Sequence, residues 1–230
     1  PKTALSVPDV GSPAEAEFIY AVVALQPDLV VAGDDISADQ VASLQAQGLV
    51  VYTINYPKDF EELYKTINDL GSLTGHDSEA QSLVESLAAR VIAIQSEVKK
   101  ITSRPMVFFE LSAADPNNPV TSGRGSMIDL MITTAGGKNT GTSLKGNQAQ
   151  ISLKELAKQN PDIILLADSA DIDLSQVKAR TGWSSINAVA KNQIFSVNSE
   201  LFNTSGPRLV DGLELLLRLL HPEIFRAISN

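Results

Sequence analysis

The sequence predicts an α/β protein of two lobes joined by one long helix, and three observations carry the prediction. The chain repeats itself: VVALQPDLVVAGDDISADQVASLQAQGLVVYTI, from Val22 to Ile54, and ELAKQNPDIILLADSADIDLSQVKA, from Glu155 to Ala179, share the order helix, Pro-Asp, apolar strand, small residue, Asp when Pro27 is set against Pro161. The residues between the two copies carry a long helical period. A chain of 230 residues with 43% hydrophobic side chains and no Cys is also large enough for a packed core. At that size roughly 70–75% of the unfolded surface is expected to be buried, which excludes a disordered chain or a disulfide scaffold.

Each element follows from local chemistry. Residues 14–25 form a helix, ended by Pro27, which disfavours α geometry in the residue before it. Residues 29–31 are continuous, apolar and bounded by turn residues, the pattern of a strand buried on both faces. A helix over 37–47, a strand over 50–54 and a helix over 60–71 complete the first lobe. From Asp77, apolar residues fall at Ala80, Leu83, Val84, Leu87, Val91, Ile94, Val98 and Ile101, in the steps of three and four that mark one helix face. Asp77 or Ser78 is expected to cap its start, with Glu79 in the first turn and Lys99 and Lys100 in the last. Its roughly 24 residues span about 36 Å, and Arg104-Pro105 ends it. The second lobe reads as strand 106–111, loop 112–125, helix 126–135, loop 136–150, helix 152–159 and strand 163–166. A short helix near 174–179, strand 193–197 and an almost wholly apolar helix over 211–220 follow. The division is a first lobe of residues 1–75, a bridging helix 76–103 and a second lobe 104–230. With only two strands, the first lobe makes a narrow sheet with exposed apolar edges; it either borrows strands from a partner in a dimer, or the chain begins inside a domain.

The charge balance, 18 Lys and Arg against 27 Asp and Glu, gives a net −9. Such a chain repels phosphate backbones, so nucleic acid is not an expected partner. The two histidines, His76 and His221, fall at a helix entry and exit, where capping explains them better than metal ligation. Without Cys, neither a zinc cage nor a Cys–His or Ser–His nucleophile is well supplied. The apolar run 210–220 is short and broken by charge, so no segment spans a membrane as a helix. Asp34, Asp35, Asp168, Asp171 and Asp173 could bind a hard cation or serve acid–base chemistry, but Asp after a strand is also an ordinary turn residue. That is the reading adopted, and no enzymatic activity and no resident cofactor or metal are expected.

The segments PDVGSP, ALQPDLVVAG, GLVVYTI and DLGSLTG, followed by PVTSGRGSMIDLMITTAGGKNTG, QISLKELAKQNPDIILL, GWSSINAVAKNQIFSVN and LFNTSGPRLVDGLELLLRLLHPEIF, stand in an order that resembles the helical-backbone (class III) ABC-transporter substrate-binding proteins. This group includes the vitamin B12 (cobalamin), haem and ferric-siderophore receptors. The resemblance extends over residues 8–225. It implies two Rossmann-like lobes bridged by one rigid helix, with a small-molecule metal chelate held in the cleft between them and delivered to an ABC permease in the membrane. It also implies a periplasmic or cell-surface protein, lipid-anchored before processing. Members usually carry a further strand–helix–strand stretch before the PDVG-like segment, so a truncated chain with a shortened first lobe is expected.

Candidate ligand contacts follow from both lines of reading. Gly33, Asp34, Asn55 and Tyr56 lie just past strand carboxyl ends, where α/β sheets bind ligands. The stretch Val120 to Ser126 enters a helix: its glycines can turn backbone N–H groups outward, the helix N-terminus favours an anion, and Arg124 can add a bidentate contact to a carboxylate or phosphate. The resemblance implies that this loop, with Ser122, Gly123 and Arg124, faces the ligand. It implies the same for the loop carrying Glu200, Phe202, Asn203 and Thr204, in which Arg208 either contacts ligand or ties the loop down. Trp183 reads as a packing residue. Where B12 receptors present aromatic side chains this chain has Gly33, Val120 and Gln148, which favours a polar site built on Arg124, Gln148, Glu200 and Asn203. Relatives dock on the permease through a glutamate seven residues before each Pro-Asp; here Tyr20 and Lys154 stand there, with Glu17 and Glu155 as acidic neighbours. A ligand-binding sensor or scaffolding domain without a permease is the alternative reading.

Overall fold

Parallel strand pairing organises both compact units of the computed structural model, which divides between Tyr56 and Pro57 and describes residues 6–112, 114–168 and 174–224. In the first unit, α1 (Phe18–Ala24), β1 (Val30–Ala32), α2 (Ala38–Ala46) and β2 (Val51–Thr53) follow one another. β1 and β2 are parallel, with Val30 opposite Val51. Phe18 and Val22 of α1 and Leu44 of α2 form the core, with Val30 and Val51 packed against it. Ser37 accepts from the Gln40 N–H while the Gln40 side chain returns to the Ser37 N–H, a reciprocal cap that fixes where α2 begins. α1 begins later than its apolar pattern suggests, because the Ala14 and Glu15 N–H groups turn back onto Ser12.

The second unit contains α3 (Phe60–Thr74), α4 (Asp77–Val98), β3 (Met106–Glu110), β4 (Val120–Thr121), α5 (Met127–Thr134), β5 (Lys138–Asn139) and β6 (Ala149–Gln150). It continues through α6 (Leu153–Gln159), β7 (Ile163–Ala167), α7 (Leu174–Ala179), α8 (Asn187–Ala190), β8 (Ile194–Val197) and α9 (Arg208–Leu220). Four strands form a parallel sheet in the order β5-β3-β7-β8, and β4 pairs antiparallel with β6. Every residue of β7 is buried, as a strand with β-branched and Leu side chains on both faces requires. The residue before each Pro of the repeat, Gln26 and Asn160, is left-handed, with φ of 47° and 50°. The Pro blocks right-handed α geometry there, so both copies of the repeat leave their helix through a left-handed residue.

The long helical period is realised as the 22-residue α4. Its start differs from the expected cap. His76 is the N-cap and makes no side-chain cap bond, while the Asp77 carboxylate accepts from the Ser72 hydroxyl. Gly75 turns the chain left-handed at φ 72°, and a Cβ on Gly71 would lie 2.4 Å from the Ala80 Cβ, so α3 and α4 meet at a small-residue contact. Lys99 and Lys100 follow α4 rather than lying in its last turn. Arg90 of α4 donates to Asp211 at 2.6 Å and Glu214 at 2.7 Å, joining it to α9. α9 starts at Arg208, three residues before the expected start, because Pro207 is compatible with the first turn of a helix. The segments read as loops, 112–125 and 136–150, contain β4, β5 and β6; two-residue strands are too short to show a period.

Gly212 lies inside α9, where Ala would raise intrinsic helix propensity by about 1 kcal/mol. A Cβ there would meet the Leu201 carbonyl oxygen at 2.5 Å and the Met131 methyl at 2.9 Å. Gly212→Ala is therefore expected to lower stability by about 1–3 kcal/mol through overpacking, read as a fall in the urea midpoint at unchanged slope.

Candidate functional site

The two aspartates of the repeat do the same work. Asp34, seven residues after Pro27, follows β1; its carboxylate accepts from the Tyr56 N–H, just beyond β2, at 3.0 Å. Asp168, seven residues after Pro161, follows β7 and accepts from the Ser199 N–H at 2.8 Å and the Ser199 hydroxyl at 2.5 Å, just beyond β8. In each case a carboxylate at the end of one strand latches the loop that leaves its parallel neighbour. Asp171 and Asp173 lie outside the described residues. Gly33, Asp34 and Asn55 are exposed, and Tyr56 is half-buried. Burial pushes the Tyr56 phenol up to about 12, so it remains a neutral hydrogen-bonding group at physiological pH.

The Ser122–Ser126 turn is closed by the polar groups around it, which corrects the expected anion cradle. Gly123 N–H donates to Gly146, Arg124 N–H to Leu144 and Ser126 N–H to the Gly123 carbonyl. The Gly125 N–H donates to one Asp129 oxygen at 3.0 Å, and the Ser126 hydroxyl caps α5 through the Asp129 N–H. The positive end of α5 thus already faces a carboxylate, the charge it favours. Buried Asn139 donates from Nδ2 to the Ser122 carbonyl and to Asp129, both at 2.9 Å, and accepts from the Gly141 N–H. The glycines serve close approach: a Cβ at Gly141 would sit 2.0 Å from the Ser122 carbonyl oxygen, and one at Gly123 would sit 2.9 Å from that of Gly146. Ser122 is fully buried, its hydroxyl on Ser126.

What the turn presents outward is Arg124. Its Nε donates to the Thr142 carbonyl at 2.9 Å, which orients an otherwise exposed guanidinium. A parallel bridge sets Arg124 beside Lys145, and exposed Gln148 precedes β6, which pairs with the strand leading into the turn. Arg124, Lys145 and Gln148 therefore lie on one double loop beyond the carboxyl ends of β3 and β5.

The second candidate loop follows β8, at the other edge of the sheet, roughly 14 Å away by three strand spacings. Glu200 and Arg208 pair at 3.0 Å, with 67% and 57% of their side chains exposed; an ion pair so open to water contributes about 0–1 kcal/mol. Arg208 thus ties the loop to the start of α9. Phe202 is a core residue, 1% exposed, with its ring edge-on to Phe109 at 4.9 Å; its chain position placed it among the ligand contacts, and the apolar pocket beneath β3 holds it inward. Asn203 is exposed and Thr204 half-buried.

Sequence reasoning missed a buried charge pair at the carboxyl end of β3. Glu110 is fully buried, and Arg180 Nη1 donates to both of its oxygens, at 2.8 and 2.9 Å. The guanidinium carbon lies 4.4 Å from the centroid of the Trp183 ring, and the Trp183 N–H donates to the Pro116 carbonyl at 3.1 Å. The signal was there: a lone Glu closing the apolar run MVFFE. Of the expected docking positions, Tyr20 is 78% exposed on α1. Glu17 is the exposed N-cap of α1, Lys154 is exposed, and Glu155 lies in the first turn of α6 at 3.6 Å from Lys158. His221 ends α9, with Nε2 3.3 Å from the Gly136 carbonyl oxygen. Two hollows in the second unit, about 240 and 400 Å³, are lined by Leu201, Asp211, Glu214, Leu215 and Arg218 and by Gln95, Val98, Lys99, Arg104, Thr133 and Thr134; neither holds a residue expected to bind ligand.

Burial pushes the Glu110 carboxyl above its ordinary value of 4.5, and Arg180 opposes the rise through hydrogen bonding and charge. A raised folded-state pKa means that the native state holds the proton more tightly than the unfolded chain. Stability linked to this group is therefore lost as pH rises from 4.5 through the folded pKa. Glu110→Gln should lack this segment of the pH–stability curve, read as the difference in urea midpoint between the two proteins across that range.

Comparison with known proteins agrees with this architecture. Residues 1–201 match the family described as periplasmic binding protein. The chain is 33% identical over 213 residues to an uncharacterised ABC transporter substrate-binding lipoprotein of Bacillus subtilis, YvrC, covering 90% of this chain and 66% of that protein. It is 27% identical over 218 residues to a cobalamin-binding protein of Halobacterium salinarum, covering 92% and 58%. The chain thus spans about three fifths to two thirds of these relatives' length. Its fold is shared with the periplasmic heme-binding protein RhuT from Roseiflexus sp. RS-1 in apo form, with a TM-score of 0.81 at 19% identity, over 97% of this chain and 86% of that one. An α/β chain with parallel sheets, a 22-residue helix and this family match over most of its length belongs to the periplasmic binding protein family.

Proposed function

We propose that this chain is the extracytoplasmic substrate-binding component of an ABC importer, which captures a metal-chelate nutrient (a corrinoid, haem or ferric siderophore) and hands it to a membrane permease without chemistry. In this reading residues 1–75 and 104–230 act as ligand-binding lobes, with helix 76–103 between them, and the protein works in the periplasm or at the cell surface. The reading is supported by the match to the periplasmic binding protein family and by the exposed polar side chains Arg124, Gln148 and Asn203 on loops around the four-stranded sheet. Arg124 suits a carboxylate at the periphery of such a ligand, and Gln148 and Asn203 suit its amides. Asp34, Asn55 and Tyr56 are the corresponding contacts of the first unit. The names of the relatives, which include cobalamin-binding and heme-binding proteins, support the ligand class.

One observation favours a second reading. Where relatives are expected to present a docking glutamate, this chain presents exposed Tyr20 and Lys154; Glu17 and Glu155 are the remaining acidic candidates. A sensor or scaffold that binds ligand without a permease fits that change.

The test is an absorbance titration with haemin, cobalamin and a ferric siderophore. A saturable spectral shift with one of them is expected, weakened about tenfold or more in Arg124→Ala, the loss of a charge-assisted contact of about 1.5–3 kcal/mol. No shift with any of the three would contradict the metal-chelate reading. Binding that survives while a permease fails to retain the protein would favour the sensor.

A further inference from the structure

The Glu110–Arg180 pair is an unusual expense in a core: a buried carboxylate and guanidinium, with Arg180 Nε and Nη2 finding no hydrogen-bond partner among the described residues. Burial of both charges is weak evidence for stability alone. What the pair does have is direction. Glu110 ends β3, and the chain leaves there and returns beside it, with Leu111 N–H donating to Val120 and Val120 N–H to Ser112. Between these points the segment 114–119 projects at the carboxyl edge of the sheet. Asp115 folds its tip through the Asn117 N–H and the Asn118 side chain. One flank is held by backbone bonds from Ile151 to Pro119 and Leu153 to Asn117. The other flank is held by the Trp183 N–H on the Pro116 carbonyl.

Trp183 can make that bond only in one ring orientation. The Arg180 guanidinium over its face and the Phe108 ring edge-on at 6.1 Å set it, and Glu110 in turn sets Arg180. We infer that Arg180 is a positioning residue: Glu110, Arg180, Trp183 and Pro116 form a brace that fixes the segment 114–119, and with it β4 and the turn presenting Arg124, in the geometry that receives ligand. The inference rests on the ligand-binding reading for its consequence and on the brace alone for its mechanism. Neither Arg180 nor Trp183 is exposed, and they act on ligand only through the loop they hold.

Two variants separate the brace from general packing. Trp183→Phe keeps a large ring against Phe108 and loses the N–H. Arg180→Lys keeps a positive charge for Glu110 and loses the flat face over the ring. Backbone hydrogen exchange of the ligand-free protein is expected to speed up about fivefold or more at residues 115–121 in both variants, the opening that accompanies one lost hydrogen bond, with β7 amides unchanged. Haemin affinity, measured well below each variant's melting temperature, is expected to fall about fivefold because the loop is no longer preorganised. Exchange within twofold of wild type in both variants would overturn the brace. Loosened loops with unaltered affinity would overturn its role in binding. Loosened loops in a protein whose wild type binds none of the three chelates would support the brace while contradicting the function proposed above.

Discussion

Parallel pairing is the constraint on which the rest of this protein depends. Strands that all run one way bring all their carboxyl ends, and the loops that leave them, to one edge of the sheet. Those loops must satisfy their own backbone groups. The repeat solves the same problem twice, with a carboxylate seven residues after a Pro, Asp34 or Asp168, accepting from the loop beyond the neighbouring strand. The left-handed residue before each Pro belongs to the same solution, since it turns the chain from helix into strand within a few residues. Loop geometry in both units is thus set by the strand ladder.

Around the four-stranded sheet, the loops are closed by different chemistry at each place. The Arg124 turn is tied by neutral amide and hydroxyl groups around Asn139, with the Asp129 carboxylate at the head of α5. The loop beyond β8 is anchored in apolar fashion, by Phe202 against Phe109, and trimmed by a surface ion pair. The segment beyond β3 depends on a buried ion pair. Such pairs are costly to break from one side, because the remaining charge is left in low dielectric, so this segment is the one most sensitive to substitution inside the core. The side chains of Arg124, Gln148, Glu200 and Asn203, left exposed on these loops, are polar.

The repeat and the long helix were legible in the sequence because each spans enough residues to show a period. Leu29–Val31 and Ile163–Leu166 read as strands since four or so apolar residues between turn signals admit little else, and α4 read as a helix over six turns. β4, β5 and β6 were not legible: Val120–Thr121 becomes a strand only because Ala149–Gln150 lies beside it, a long-range pairing with no local signature. The site was legible at the level of loops and not of atoms. Arg124 was singled out for its place before a helix, but the helix N-terminus was already taken by Asp129, three residues into α5, a residue that reads locally as a routine first-turn acid. Phe202 looked like a ligand contact from its place in the loop, and only the position of Phe109 across the core shows why it turns inward. Glu110 and Arg180 are 70 residues apart, and nothing local to either announces the other.

Recognition by the loops at strand carboxyl ends is tested by a co-crystal structure with whichever chelate shifts its absorbance on binding. The ligand is expected within hydrogen-bonding reach of Arg124 and of side chains from the loop beyond β8. A ligand bound elsewhere, for example in the hollow beside α4 lined by Lys99 and Arg104, and touching none of these residues, would contradict it.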